Sequence, residues 1–314
     1  LEALGVKSDD TVVVPTMTFA ATAEVVRYFN AHPLLVDCRQ DDLNLDIADA
    51  ERQIERAISR GARVVAIIPV HYGGQIGDIF GVQRLAHRFG LKIVEDAAHC
   101  APAGFRENSE APWQSVGSLS DISCFSFYAN KTLTTGEGGM ACCARDDYAE
   151  RMRIMSLHGI SKDAWKRFSA EGSWYYEIIA PGFKYNLTDI AAAIGLHQVR
   201  KADALHRSRC QKAALYSDLL KDVDEVSIPV ANPDRIHSWH LYPVRLNPSA
   251  SKIGRGEVIA ELKKRGITTS VHWMPLHMHP YYRNAYGYRA EDFPEAAEAY
   301  LQLISLPLYP DMED

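Results

Sequence analysis

The sequence has no long apolar run. No stretch of its 314 residues approaches the roughly 18 apolar residues that a membrane-spanning helix needs, and no signal peptide is visible. The sequence has 34 Lys and Arg residues and 40 Asp and Glu residues, which gives a net charge of −6. It contains no basic run or tail. These absences argue against a membrane protein and against a protein that binds nucleic acid or anionic lipid.

Common signatures of metal and nucleotide sites are also missing. The cysteines, at positions 38, 100, 124, 142, 143 and 210, form no CxxC pattern and lie mostly in apolar runs, which predicts free thiols in the cytoplasm. The histidines of VHWMPLHMH have no acidic or cysteine neighbour, so a zinc site is disfavoured. Residues 136–139 match neither GxGxxG nor GxxxxGK[ST]. No GxSxG elbow is present, although composition alone leaves a Ser/His/Asp triad open.

Strand-like and helix-like segments alternate at short intervals in the first half of the chain. Apolar runs predict strands, and stripes of apolar residues at helical spacing predict helices. The predicted strands are 11–14, 34–38, 64–70, 91–94, 121–127 and 141–144, and the predicted helices are 20–31, 45–60, 80–89 and 148–157. This alternation predicts an α/β fold with an open, mostly parallel sheet, in which ligands gather beyond the carboxyl ends of the strands.

The second half predicts a smaller α/β domain. Its elements are a long helix at 188–223, capped by Thr188 and Asp189, strands at 239–246 and 268–273, and helices at 256–265 and 295–303. The long helix is the expected joint, with a large domain at 1–207 and a small domain at 208–314. The aromatic segment 161–179 lacks clear periodicity and is expected to cross the surface above a substrate.

Two residues near the middle of the chain are candidates for a cofactor site. Asp96 ends one predicted strand, and Lys131 follows another. A lysine that forms a Schiff base, beside a carboxylate that pairs with a pyridine nitrogen, is what pyridoxal phosphate requires. Ser126 could bind the cofactor's phosphate. Each residue also has an ordinary interpretation: Asp96 as a cap, Lys131 as a solvated surface lysine, and Ser126 as a local backbone ligand.

The motifs around these residues resemble a known family. EDAAH, SFYANKTLTTGEGG, PTMTFAATAEVV, PGFKYNLTDIAAAIGLHQ and SLPLYPDM occur in an order similar to that of the DegT/DnrJ/EryC1/StrS sugar aminotransferases, over nearly the whole chain. The PGFKYNLTD form looks especially like the branch that makes UDP-4-amino-4-deoxy-L-arabinose. The resemblance implies fold type I, which is aspartate aminotransferase-like, and pyridoxal 5′-phosphate bound to Lys131 and Asp96.

The same resemblance implies further site residues. Phe19 would stack on the pyridine ring, and His99 would lie beside it, although core packing is the alternative for both. Asn186 would reach the cofactor phosphate of a partner subunit, so that a homodimer has composite active sites. The HWMPLH segment would border the active site, which makes His277 a weak candidate for a sugar contact.

The implied reaction moves an amino group from glutamate to a keto carbon, C4 in the closest branch, of a nucleotide-linked sugar. Such reactions serve cell-surface polysaccharide, lipopolysaccharide and related amino-sugar biosynthesis. Both ends of the chain are expected to be truncated relative to the family, without its Ser-Gly-Thr phosphate loop and its last helix.

Two alternative functions are those of a non-catalytic sensory or regulatory member and of a sugar dehydratase. Dehydratases of the family carry His at the lysine position, and the regulatory alternative has no need of both Asp96 and Lys131.

Overall fold

The computed structural model describes residues 1–161 and 176–313, so most of the predicted aromatic excursion lies outside the described residues. Within these ranges the chain forms a six-stranded sheet of order β2-β1-β3-β4-β7-β8. Its strands are β1 (Asp10–Pro15), β2 (His32–Val36), β3 (Arg63–Ile67), β4 (Lys92–Asp96), β7 (Ile122–Ser126) and β8 (Gly139–Cys142). Neighbouring strands are parallel except for β7 and β8. The predicted α/β fold with a mostly parallel sheet is confirmed.

The other elements surround this sheet or follow it. The helices are α1 (Ala21–Arg27), α2 (Ile47–Ser59), α3 (Ile79–Phe89), α4 (Asp146–Met155), α5 (Asp189–Leu220), α6 (Arg255–Lys264), α7 (Pro280–Tyr286) and α8 (Pro294–Gln302). The short strands are β5 (Gly104–Phe105), β6 (Gln114–Ser115), β9 (Val226–Ser227), β10 (Arg235–Ile236), β11 (Tyr242–Leu246) and β12 (Leu303–Leu306). They form sheets of order β10-β5-β6 and β12-β11-β9. Among the described helices, none combines the length and the apolar character needed to cross a membrane.

The boundary predicted between residues 207 and 208 falls inside α5. All strands of the β12-β11-β9 sheet follow this boundary, as a separate small domain requires. However, β10 follows the predicted boundary in sequence and pairs with β5, which precedes it. The division into two domains stays a prediction.

The inner strand β1 shows why the sheet is covered on both faces. Val12, Val13 and Val14 are all fully buried. Successive side chains of a strand point to opposite faces, and Val12 and Val14 accordingly belong to one apolar cluster while Val13 belongs to another. A continuous apolar run is therefore the pattern of a parallel strand between two layers.

Side-chain caps fix where the helices begin. Asp46 accepts the N–H of Asp49 at α2, and Asp78 accepts that of Gly81 at α3. Thr188 accepts the N–H of Ala191 at 3.3 Å, which confirms the predicted cap of α5. These caps satisfy backbone donors that the first turn of a helix leaves free.

Asp37 fastens the C-terminal part of the chain to the sheet. It follows β2, and its carboxylate accepts the N–H groups of Glu295 and Ala296, at 3.0 and 2.9 Å, in the first turn of α8. A third bond comes from the N–H of Cys38 at 2.8 Å. Burial still raises the pKa of Asp37, although these hydrogen bonds oppose it. The carboxylate thus joins two elements that are far apart in sequence.

Some predicted elements were wrong in extent. The predicted strand at 268–273 is only a bridge between Ser270 and Ser305, because the carbonyl of His272 is taken by the hydroxyl of Tyr72 at 2.6 Å. Helix α1 ends at Arg27 rather than at residue 31, since Asn30 adopts a left-handed conformation with φ 54°. Strand β8 begins two residues before the strand predicted at 141–144. All four of its residues are exposed.

Candidate active site

Asp96 is the last residue of β4, and both its backbone and its side chain are fixed. Its N–H donates to the carbonyl of Pro69 at 2.9 Å, and its carbonyl accepts the N–H of His71 at 3.2 Å. The carboxylate Oδ2 accepts the hydroxyl of Thr22 at 2.8 Å, and Oδ1 accepts the N–H of Ala98 at 3.1 Å. Asp96 is half-buried, and these two bonds fix the orientation of its carboxylate.

Lys131 lies in the loop after β7 and is half-buried. Its backbone N–H donates to the carbonyl of Tyr128 at 3.0 Å, which closes a turn. Burial lowers the pKa of its amine, and the nearby charge of Asp96 opposes that shift. The structure thus brings the predicted acid and the predicted lysine into one site. A lowered pKa leaves more of the amine unprotonated, as a nucleophilic lysine needs.

His99 lies in an aromatic wall of this site. Its ring centroid is 4.2 Å from that of His240 and 5.2 Å from that of Trp273, with which it stacks at 25°. Burial lowers the pKa of His99 well below its ordinary value, and the charges of His240, Lys131 and His272 add to this effect. His99 is therefore a neutral imidazole near pH 7.

A buried pair lies next to Asp96 in the sequence. The fully buried Glu95 accepts a hydrogen bond from Nε2 of His71 at 2.7 Å. The N–H of Gly77 lies 3.5 Å from Nδ1 of His71, which places the ring proton on Nε2. Burial tends to raise the pKa of Glu95, but the hydrogen bonds from His71 and from other groups lower it overall. The pair ties the loop after β3 to the strand that carries Asp96.

Ser126 and Phe19 lie on elements that meet at this edge of the sheet. Ser126 ends β7, beside the Asp96 strand, and its hydroxyl accepts the N–H of Tyr128 at 3.3 Å. Phe19 precedes α1, and its ring is 61% exposed. Its carbonyl accepts the N–H of Thr22, the residue that binds Asp96. An exposed ring here is available to a ligand, and the core alternative for Phe19 is not what the structure shows.

Asn186 lies at the surface, whereas His277 is buried. Asn186 is exposed just before α5 and accepts a hydrogen bond from the amine of Lys184. Among the described residues, no hydrogen bond joins it to Lys131 or Asp96 of the same chain. His277 is 1% exposed, bonds to the Thr16 hydroxyl at 2.8 Å and stacks on Phe293. Burial lowers its pKa to about 4, and these contacts favour a structural role over a sugar contact.

The sequence did not single out Thr22 or His240 as site residues, and Trp273 was included only as part of the HWMPLH segment. Thr22 lies in an unremarkable helical stretch, and its role depends on a contact between distant parts of the chain. His240 fell within a predicted strand, although the strand β11 begins two residues later. The only available signal was the density of His and Trp in HSWHLYP and VHWMPLH.

A cavity of about 650 Å³ lies beside the loop after β2, away from these residues. Its lining includes Arg39 and Arg245 but neither Asp96 nor Lys131. Arg39 pairs with Asp41, and Arg245 donates to the carbonyl of Gln40, so both cations are already engaged. The cavity thus offers neither the predicted acid nor the predicted lysine.

The residues at the strand ends fit the pyridoxal phosphate that the resemblance implies. Asp96 offers an oriented carboxylate to a pyridine nitrogen, Lys131 offers a half-buried amine, and Phe19 offers an exposed ring. The hydroxyl of Ser126 is a candidate for the phosphate, although it already accepts a backbone N–H. Among the described residues, no group of three His, Cys, Asp or Glu side chains is arranged to hold a metal ion.

Comparisons with known proteins give a consistent result. The model of the DegT/DnrJ/EryC1/StrS aminotransferase family matches residues 1–314. The Bacillus subtilis spore coat polysaccharide biosynthesis protein SpsC is 38% identical over 315 residues, which cover 100% of this chain and 78% of SpsC. The Methanocaldococcus jannaschii protein MJ1066 is 43% identical over 314 residues, again 100% of this chain and 78% of the relative.

A solved structure agrees at the level of the fold. The Streptococcus pneumoniae protein Spr1654, named as a sugar aminotransferase and solved in its PMP form, matches with a TM-score of 0.88 and 30% identity. The match covers 100% of this chain and 80% of Spr1654. The fold is that of a fold-type I aminotransferase, as predicted, and the chain belongs to the DegT/DnrJ/EryC1/StrS aminotransferase family.

Proposed function

We propose that this protein is a pyridoxal phosphate-dependent aminotransferase that moves an amino group from glutamate to a keto carbon, C4, of a nucleotide-linked sugar. The observation that carries the proposal is the half-buried Lys131 amine beside the oriented carboxylate of Asp96. The PMP form of Spr1654 supports the cofactor, and the name of SpsC supports a role in polysaccharide biosynthesis.

Lys131 would perform two tasks. When bound, pyridoxal phosphate supplies the electron sink that lets an amino group leave a donor and join a keto carbon. Lys131 would hold the cofactor through Nζ and, once displaced by glutamate, take the proton from the donor's α-carbon. Burial favours the unprotonated amine that both tasks require.

Asp96 would supply the fixed negative charge of the site. Thr22 and the N–H of Ala98 hold the two carboxylate oxygens without neutralising them. A charge-assisted bond to a pyridine nitrogen would keep that nitrogen protonated. A charge that is already oriented does not have to be rearranged when the reaction occurs. Such a charge therefore stabilises a transition state effectively in a partly buried site.

The exposed ring of Phe19 and the wall that contains His99 would confine the cofactor. Both rings are uncharged, since burial keeps His99 neutral. Flat, uncharged surfaces suit an aromatic ligand and exclude water from the atoms that exchange protons. This placement gives Phe19 and His99 a binding role rather than a part in proton transfer.

A homodimer would complete the active site. The first half of α5 exposes several large apolar side chains, with Ile190 at 79%, Leu196 at 64% and Val199 at 60%. An apolar surface of this kind is typical of a protein interface. Asn186 directly precedes this helix and is exposed, so a partner bound to α5 would have Asn186 near its surface. We assign Asn186 to the cofactor phosphate of the partner subunit.

The two alternative functions are disfavoured by the same residues. A dehydratase of this family would carry His in place of Lys131. A regulatory member would have no need of a carboxylate held by two hydrogen bonds beside a lysine of lowered pKa. Neither alternative has a specific structural observation in its favour.

The direct test supplies the full-length protein with glutamate and a panel of 3-keto and 4-keto nucleotide sugars. We expect release of 2-oxoglutarate with a 4-keto sugar, together with an amino-sugar product detected by mass spectrometry. The Lys131→Ala variant is the control and should give neither product. If no keto sugar elicits 2-oxoglutarate while the protein binds pyridoxal phosphate, the aminotransferase assignment is wrong.

A further inference from the structure

His240 has no place in the chemistry described above, yet its ring lies against that of His99. We propose that His240 is a positioning residue that holds the imidazole of His99 in the wall of the cofactor site. The inference rests on the proposed function, because it concerns how the site is prepared for its cofactor.

The orientation of His99 depends on ring contacts. Its Nδ1 is buried and has no hydrogen-bond partner among the described residues. The neighbouring rings are those of His240, at 4.2 Å and tilted by 43°, and Trp273, at 5.2 Å and nearly parallel. Because no hydrogen bond fixes Nδ1, the packing of neighbouring rings helps to set the orientation of this side chain. Loss of either neighbour should therefore release it.

The backbone on both sides of His240 is anchored to the loops that border the site. The N–H of Ser238 donates to Gly74 at 2.9 Å, and the N–H of Leu241 donates to Gly73 at 3.1 Å. The hydroxyl of Ser238 also donates to the carbonyl of His99. The segment that carries His240 is thus tied to the same residue that its ring contacts.

Gly74 makes this approach possible. Its φ is 105°, and a Cβ at this position would lie 2.1 Å from the hydroxyl oxygen of Ser238 and 3.2 Å from the backbone nitrogen of His240. Any larger residue would therefore push the segment away from His99. On the other side, the buried guanidinium of Arg209 donates to the carbonyl of Trp239 at 3.1 Å.

Three basic groups lie close enough to His240 to influence its pKa. Burial lowers the pKa of His240 well below its ordinary value, and the charges of Lys131, Arg209 and His272 lower it further. Its Nδ1, like that of His99, is buried without a partner. His240 thus contacts His99 as a neutral ring and brings no competing charge close to Lys131.

Two other interpretations of the imidazoles are less suitable. A metal site would need a third ligand in suitable geometry, and the described residues contain no such group. A proton relay through Nδ1 would need a hydrogen-bond partner at that atom, and among the described residues neither ring has one. The interaction that the structure does show between the two imidazoles is the contact of their rings.

The test measures the affinity of the full-length, cofactor-free protein for pyridoxal phosphate, by absorbance titration. His240→Ala should weaken binding by roughly threefold to tenfold, the range that an aromatic pair contributes. His240→Phe keeps a ring against His99 and should restore affinity to within about twofold. In a His99→Ala background, His240→Ala should have no further effect, because a residue that acts through His99 cannot act without it.

The matched control is His237→Ala. His237 is a buried imidazole of the same segment that stacks on Trp239 and has no ring contact with His99. Thermal unfolding of all variants measures the general loss of stability. Equal loss of affinity in His237→Ala and His240→Ala would overturn the proposal, as would additive losses in the double variant. If the unmodified protein fails to bind pyridoxal phosphate, the proposed function itself is wrong.

Discussion

The hydroxyl of Thr22 lies 2.8 Å from Oδ2 of Asp96, although 74 positions separate the two residues. The same hydroxyl is 2.7 Å from that of Thr18. Because a threonine hydroxyl has one hydrogen and Thr22 gives it to the carboxylate, Thr18 must donate in the second bond. Asp96 is therefore held by a directed chain of hydroxyl groups that starts in the loop before α1.

Thr22→Val should lower kcat by about tenfold or more. It removes a hydrogen bond to a charged group, which contributes about 1.5–3 kcal/mol. Thr22→Ser keeps the hydroxyl and should retain near-native kcat. Steady-state kinetics with a saturating keto sugar distinguishes the two variants. Equal rates for the valine and serine variants would show that the bond has no influence on the carboxylate.

Asp96→Asn should leave the fold and the covalent attachment of the cofactor intact while turnover falls by several orders of magnitude. An amide cannot keep a pyridine nitrogen protonated, so the barrier should rise by roughly 3–5 kcal/mol. Single-turnover measurements with glutamate isolate this step. Turnover close to that of the unmodified protein would remove Asp96 from the assigned role.

Lys131→Ala should abolish covalent attachment of pyridoxal phosphate and its visible absorbance. Lys131 is the only lysine between residues 93 and 161, so a borohydride-reduced adduct in that interval identifies it without ambiguity. Lys92→Ala is the matched control, since Lys92 pairs with Asp121 at 3.1 Å. Peptide mapping that located the adduct at another lysine would contradict the assignment.

His237 should make stability depend on pH. Burial lowers its pKa to about 3, with a smaller contribution from His206, and its Nδ1 accepts the N–H of Trp239 at 2.9 Å. The folded protein therefore leaves His237 neutral at pH values where the unfolded chain protonates it. The free energy of unfolding should fall below pH 6.5, by up to about 1.4 kcal/mol per pH unit from this residue.

The variant His237→Asn tests that contribution. Its side-chain oxygen can still accept the N–H of Trp239, but it does not titrate. Urea unfolding between pH 7 and pH 4 should show a slope smaller by one proton in the variant. An unchanged slope would mean that His237 is not the group that binds the proton on unfolding.

The proposed dimer predicts complementation between an inactive variant and a variant that binds the cofactor weakly. Lys131→Ala should be inactive, and Asn186→Ala should bind the cofactor more weakly, by about 1.5–3 kcal/mol for one bond to a charged group. In a mixed dimer, one site carries both substitutions and the other carries neither. The second site should regain native affinity and activity. If heterodimers form by mass spectrometry and nothing is restored, Asn186 serves its own subunit or only the fold.

The sequence predicted the elements whose signals are local. The apolar run at 11–14 predicted the strand β1, and Thr188 predicted the start of α5, because period and capping act over a few residues. The positions of Asp96 and Lys131 at one edge followed from the rule for parallel sheets. Their chemical roles came from the family resemblance and stay predictions.

The remainder depends on contacts between distant residues. The strand expected at 268–273 had suitable residues, but the Tyr72 hydroxyl binds its backbone at His272 instead. The family resemblance of the HWMPLH segment suggested His277 as a sugar contact, and only the packing against Phe293 shows that it is buried. No local pattern predicts such contacts, since each needs a partner that lies elsewhere in the chain.

The bond from Ser238 to the carbonyl of His99 spans 139 positions. The site wall therefore exists only after the strands of the large sheet and the segment before β11 have folded together. Contacts of such long sequence separation cost chain entropy to close and are typical of slower folding. A ligand that occupies the site would thus stabilise both halves of the chain as one cooperative unit, rather than the loop it touches.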